Sequence, residues 1–125
     1  MELRIMTEKE LVLSVKDGIR PCYLLYGRDT ASVEGFAKKL TAKLVPPEAR
    51  DLNYHFFPAE DLNLDALSDC IEALPVFAER VVAAINDLDC DKLSQKDIKR
   101  LQEIISSIDS GTTTMIIYCT AVDLC

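Results

Sequence analysis

Apolar residues along the chain fall into two kinds of pattern. Short continuous runs rich in aromatic and aliphatic residues predict strands over 22–26, 53–57, 81–85 and 113–119. Apolar positions that recur three and four residues apart predict helices over 30–44, over 64–74, and between 94 and 111. Strand and helix therefore alternate four times along the chain.

Polar and turn-forming residues mark the ends of these helices. Asn63 and Ser94 are suited to cap two helix starts, Pro75 prevents the middle helix from continuing, and Gly111 is expected to end the last one. A leading segment over 1–20 has a capping box and a short partly apolar face that Gly18 would end, which predicts a preliminary helix.

The alternation predicts an α/β fold with an open, mainly parallel sheet and helices on both faces. The last predicted strand is followed by only six residues, which leaves no room for a fifth strand with its helix. We therefore expect one domain over 1–125 that is part of a longer chain.

Composition narrows the class of protein further. The 125 residues are 49% hydrophobic and 28% charged, as in a folded domain with a single core, and contain no apolar stretch of membrane-spanning length. The N-terminus does not resemble a secretory signal, so we expect a cytoplasmic protein. A net charge of -7 opposes direct contact with nucleic-acid phosphates.

The cysteines indicate reduced thiols. Their number, five, is odd, and no C-x-x-C spacing occurs. We expect neither a disulfide framework nor a zinc site.

The turn after the first predicted strand is where an α/β protein would hold a phosphate. Gly27, Thr30 and Ser32 form at most a degenerate phosphate loop, because Ser32 and Val33 occupy the glycine and lysine positions of a P-loop. A simple strand-to-helix turn is favoured, and a nucleotide-binding switch is the alternative.

Acidic residues follow the third predicted strand. Asp87, Asp89 and Asp91 could hold a magnesium ion, but a solvated loop is favoured because no phosphate-binding loop supports the ion. Asp87 could also be the phosphate acceptor of a receiver-like signalling module, but the later lysine that such a module needs is missing. His55, the only histidine, lies in a predicted strand without a nucleophile motif beside it. We predict no catalytic site, metal or cofactor.

An apolar pair follows the proline that ends the middle helix. Val76 and Phe77, with Leu74 as a neighbour, could project into a pocket of a partner or pack into the core of this domain. The residues alone favour packing into the core.

Four segments, in their order and spacing, resemble the N-terminal domain of bacterial DNA polymerase III delta subunits. They are YLLYG at 23–27, LNYHFF at 52–57, LNLDAL at 62–67 and LPVFAERVV at 74–82. The resemblance covers roughly residues 20 to 120, and its most specific part is the last segment.

The resemblance implies a P-loop NTPase (AAA+)-like domain of a clamp loader in DNA replication, which neither binds nor hydrolyses ATP. It implies that Leu74, Val76 and Phe77 form an apolar wedge that binds the β sliding clamp and helps to open it. Other clamp-loader subunits would be partners of the full-length protein, and DNA would be met only through the assembled complex. The family is part of the DNA polymerase III holoenzyme, a nucleotidyltransferase. This chain departs from the family at two positions. The family often has leucine or phenylalanine where this chain has Val76, and often has a basic residue where this chain has Val81.

Overall fold

The computed structural model describes residue 18 and residues 21–26, 30–88 and 92–119. Apart from Gly18, the segment 1–20 in which a leading helix is predicted lies outside this part of the chain. The strands are β1 (Cys22–Tyr26), β2 (Tyr54–Pro58), β3 (Val81–Asn86) and β4 (Thr113–Cys119). The helices are α1 (Thr30–Leu44), α2 (Arg50–Asn53), α3 (Leu64–Glu72) and α4 (Gln95–Ser106), with 3-10 turns at Pro47–Ala49 and Ala59–Asp61.

The four strands form one sheet in the order β1-β4-β3-β2, and every neighbouring pair is parallel. Strand β3 lies inside the sheet, with Val82 opposite Tyr54 of β2 on one side and Thr114 of β4 on the other. Its residues Val81–Ile85 are all buried, which explains why this strand is a continuous apolar run. The predicted α/β fold with a parallel sheet is confirmed.

Helices cover both faces of the sheet, as the sequence predicts. One face packs against α3 and α4, in a cluster that includes Leu67, Ile71, Val81, Ala83, Ile85, Leu101, Ile105 and Met115. The other face packs against α1, in a cluster that includes Tyr23, Ala37, Leu40, Leu44, Val82, Ala84 and Ile116. Successive residues of β3 thus belong to opposite faces, which is the period of two that a strand imposes.

The helix starts are confirmed more closely than the helix ends. Asn63 and Ser94 accept hydrogen bonds from the backbone N–H groups of Ala66 and Asp97, as N-cap residues do. The last helix, however, ends at Ser106 and not near Gly111. The Ser107 hydroxyl donates to the carbonyl of Ile104, so local hydrogen bonds close the helix before the glycine is reached.

Two cysteines are buried free thiols. Cys22 lies on β1 and Cys70 on α3, each less than a tenth exposed. Burial disfavours the thiolate and raises the pKa of Cys22 to about 12 and that of Cys70 to about 11.

Among the helices of the described residues, none is long and apolar enough to cross a membrane.

We expect these two thiols to resist alkylation while the protein is folded. The thiolate is the reactive form, so at pH 8 iodoacetamide should modify Cys22 and Cys70 at least about 100-fold more slowly in the native protein than in urea. Peptide mass spectrometry of timed samples would measure this, and equal rates in both states would contradict the buried placement. Because the pKa values are raised, the thiols' contribution to stability is complete below the unfolded value of 9.0 and decreases as the pH rises above it.

Candidate partner-binding site

The candidate site is the segment between α3 and β3, residues 73–80, which we call the wedge loop. Helix α3 ends at Glu72, and Ala73 already has an extended backbone, with φ -69° and ψ 147°. Pro75 cannot continue a helix and favours an extended conformation for the residue before it. The chain therefore leaves the helix abruptly and crosses from one element to the next over eight residues.

The wedge loop presents the three predicted residues to solvent. Leu74 is 77% exposed, Val76 42% and Phe77 95%. The residue types alone predict that these side chains pack into the core of this domain. In the structure they do not. We call Leu74, Val76 and Phe77 together the apolar wedge.

The backbone at the tip of the loop is in an unusual conformation. Phe77 has φ +57°, in the left-handed region that costs a residue with a β-carbon roughly 1–2 kcal/mol. Such a conformation persists when the surrounding structure fixes the chain on both sides. Here Asn53 binds the backbone of Val76 on one side, and Arg80 is anchored on the other.

Arg80 fixes the end of the wedge loop to the sheet. Its guanidinium Nη1 donates to the carbonyl of Thr113 at 3.2 Å and to the hydroxyl of Thr114 at 2.9 Å. The side chain is 8% exposed, and burial lowers the pKa of Arg80, an effect opposed by the negative charges that Tyr23, Asp109 and Glu79 can carry. Arg80 is thus a buried internal anchor of the loop.

The positions of the degenerate phosphate loop are only partly described. Gly27 lies outside the described residues, Thr30 is the first residue of α1, and Ser32 is exposed on the first turn of that helix. Val33, at the lysine position of a P-loop, is 7% exposed and packs inward. A side chain with no charge, directed into the protein, cannot contact a nucleotide phosphate.

The acidic residues after β3 are also split between described and undescribed parts. Asp87 is exposed and its backbone N–H donates to the carbonyl of Tyr118, whereas Asp89 and Asp91 lie outside the described residues. Within the described ranges, no group of three or more histidine, cysteine or acidic side chains could hold a metal ion. His55 is half-buried on β2.

A cleft of about 740 Å³ lies at the carboxyl ends of β2 and β3. Its described lining combines apolar residues such as Phe56 and Leu88 with the charged residues Glu60, Asp87 and Lys92. Charges of both signs give it no preference for an anion, and it shares no lining residue with the wedge loop.

The sequence did not identify Asn53 as part of the site. The strand predicted over 53–57 begins at this residue, because it immediately precedes the run Tyr54–Phe57. In the structure Asn53 is the last residue of α2, fully buried, and in contact with Val76 across 23 positions of sequence. A buried asparagine must find hydrogen-bond partners, but no local pattern says where they are.

Comparisons with known proteins agree with this architecture. The structure is similar to that of the Bacillus subtilis DNA clamp loader delta protein, with a TM-score of 0.79 and 22% sequence identity over 94% of this chain and 37% of that chain. It is also similar to a DNA polymerase III gamma subunit-related protein from Thermotoga maritima, with a TM-score of 0.64 and 13% identity over 91% of this chain and 39% of that chain. No curated protein sequence is significantly similar to the chain.

The protein is therefore of the α/β class, with the fold of the Bacillus subtilis clamp loader delta protein. The family model for the delta subunit of DNA polymerase III matches residues 23–124, and the chain belongs to that family. The chain spans little more than a third of the length of the two similar structures.

Proposed function

We propose that the chain is the clamp-binding domain of a delta-type clamp-loader subunit, and that the apolar wedge inserts into a hydrophobic pocket of the β sliding clamp. The observation that carries this proposal is Phe77, 95% exposed at the tip of a loop that is fixed on both sides. Membership of the delta-subunit family supports the choice of partner.

The energetics of the loop favour a partner-binding role. An isolated exposed leucine is ordinary on a protein surface, but a group of large apolar side chains within four residues, one of them at positive φ, costs stability without serving the core. Aromatic anchors of this kind carry much of the binding energy of protein interfaces when a pocket encloses them.

The action of the domain on the clamp is mechanical. A ligand shifts an equilibrium only by its differential affinity for two states, so a wedge that binds an open or strained ring more tightly than the closed ring favours opening. No ATP chemistry in this domain is needed for that step. The buried Val33 at the lysine position supports a domain that does not hydrolyse ATP and uses no cofactor.

Other clamp-loader subunits are the remaining proposed partners. The net charge of -7 disfavours direct DNA binding, so we propose that DNA is met only through the assembled complex in the cytoplasm. The basic surface that contacts DNA would then belong to other parts of that complex.

The direct test is binding to the β clamp of the same organism, measured by surface plasmon resonance. We expect saturable binding by the parent chain and its loss in the double variant Val76→Ala/Phe77→Ala, because both side chains are exposed and their removal leaves the fold intact. Equal melting temperatures of the two proteins would show that the loss is not due to unfolding.

Two results would contradict the proposal. One is no binding by the parent at concentrations up to about 100 µM, where interactions near -5.5 kcal/mol are still detected. The other is unchanged binding by the double variant. A rise in melting temperature with Mg-ATP would instead support the nucleotide switch, since a ligand of the native state stabilises it.

A further inference from the structure

The side chain of Asn53 makes three hydrogen bonds at the base of the wedge loop. Its amide nitrogen Nδ2 donates to the carbonyls of Ala49 at 2.8 Å and Val76 at 2.6 Å. Its oxygen Oδ1 accepts from the backbone N–H of Val76 at 2.7 Å. The side chain is fully buried, so water does not compete for these bonds.

Both backbone groups of Val76 are thus bound to one side chain. A carboxamide that donates to the C=O and accepts from the N–H of the same residue acts as a neighbouring strand would, and it fixes the peptide groups on either side of that residue. The third bond, to Ala49, fixes the carboxamide itself. The chain direction on leaving Val76 is therefore set by Asn53, and the next residue is Phe77.

This arrangement separates the apolar wedge from ordinary flexible loops. A loop whose backbone bonds only to water would have to be ordered when it entered a pocket, and that ordering weakens binding. Here Val76 is held in the free protein, and Phe77 is kept in its left-handed, projecting conformation before any partner arrives.

We propose that Asn53 is the positioning residue of the wedge: through the backbone of Val76 it holds Phe77 in the projecting conformation and so tightens binding to the clamp. Its effect on binding rests on the proposed function above. Its effect on the conformation of the free loop does not, and the two are measured separately.

Hydrogen exchange reports the conformation of the free loop. In the parent chain the Val76 amide, bonded to a buried acceptor, should exchange at least about 100-fold more slowly than in an unstructured peptide. In Asn53→Ala, which removes the acceptor, exchange at Val76 should be at least about tenfold faster, while Leu101 and Ile104 in α4 are unchanged. The same is expected in Asn53→Asp, because the carbonyls of Ala49 and Val76, which lose their donor, repel the new carboxylate and displace it from the Val76 amide.

Binding to the β clamp reports the consequence. We expect the Kd to rise about tenfold in either Asn53 variant, and to rise no further when Asn53→Ala is added to Phe77→Ala, because Asn53 acts through the wedge. The matched control is Asn63→Ala, which removes an N-cap hydrogen bond at the opposite end of α3 and should leave exchange at Val76 and clamp binding unchanged.

Several outcomes would overturn the proposal. Fast exchange of the Val76 amide in the parent does so without any variant, even if both Asn53 variants fail to fold. Unchanged exchange in folded variants, or faster exchange with unchanged clamp affinity, also does so, as does an effect of Asn53→Ala that simply adds to that of Phe77→Ala. No clamp binding by the parent would defeat the proposed function, and exchange alone would then decide whether Asn53 holds the loop.

Discussion

Replacing Leu67 with alanine is expected to lower the free energy of unfolding by about 2–5 kcal/mol. Leu67 lies on α3, is fully buried, and packs in the cluster between this helix, α4 and the sheet. The substitution removes buried methyl groups and leaves a cavity that close-packed neighbours fill only partly. Urea unfolding followed by far-ultraviolet circular dichroism would measure the loss.

The matched control is Leu74→Ala, seven residues further along the chain. Leu74 is 77% exposed, so the same change should alter the free energy of unfolding by no more than about 0.5 kcal/mol. Similar losses in both variants would contradict the described division between the inner face of α3 and the wedge loop. The contrast tests whether α3 is a rigid support for residues that themselves contribute little to folding.

The sheet could be predicted because the signals for it are local. Val81–Ile85 is an uninterrupted apolar run, and such runs are typical of strands buried on both faces of a parallel sheet. The apolar residues of α1 and α4 recur three and four positions apart, as in a helix. The strands β1 and β4 have the predicted bounds. Each of these features can be read within one window of sequence.

The short elements between α1 and β2 could not be predicted in the same way. The 3-10 turn Pro47–Ala49 and the four-residue helix α2 have no apolar period of their own, and they are stabilised by contacts from elsewhere. Ala49 belongs to the apolar cluster between α1 and the sheet, and the side chain of Asn53 is hydrogen-bonded to Val76. The sequence predicts a strand at Asn53 because the residues that follow it favour one.

The exposure of the apolar wedge depends on the same distant contacts. Val76 and Phe77 are residue types that usually enter a core, so the residues alone predict buried side chains. Two anchors, one on either side, decide which way they face. Asn53 on α2 binds Val76 across 23 positions of sequence, and Arg80 at the end of the wedge loop binds Thr113 on β4 across 33 positions. The outward position is implied by the resemblance to the delta-subunit family and not by the residue types.

The wedge residues should contribute unequally to clamp binding, and Phe77 should contribute most. An enclosed aromatic side chain buries about 150–250 Å², which at roughly 25 cal/mol per Å² is about 4–6 kcal/mol before the costs of association. We expect Phe77→Ala to weaken binding by at least about 2 kcal/mol, which is roughly a 30-fold rise in Kd. Val76→Ala removes less area from a side chain that is already half covered, so its effect should be smaller, near 1 kcal/mol.

The loss of clamp affinity in Phe77→Ala should not be accompanied by a loss of folding stability. This contrast distinguishes an effect on binding from an effect on structure. Phe77 is 95% exposed, and alanine keeps the β-carbon that determines the cost of its positive φ, so the melting temperature of Phe77→Ala should stay within about 1 °C of the parent. Phe56→Ala is the matched control, because Phe56 is 45% exposed on β2 and lines the separate cleft there. Equal losses of clamp affinity in the Phe56 and Phe77 variants would mean that exposed aromatic area in general, and not the apolar wedge, carries the interaction.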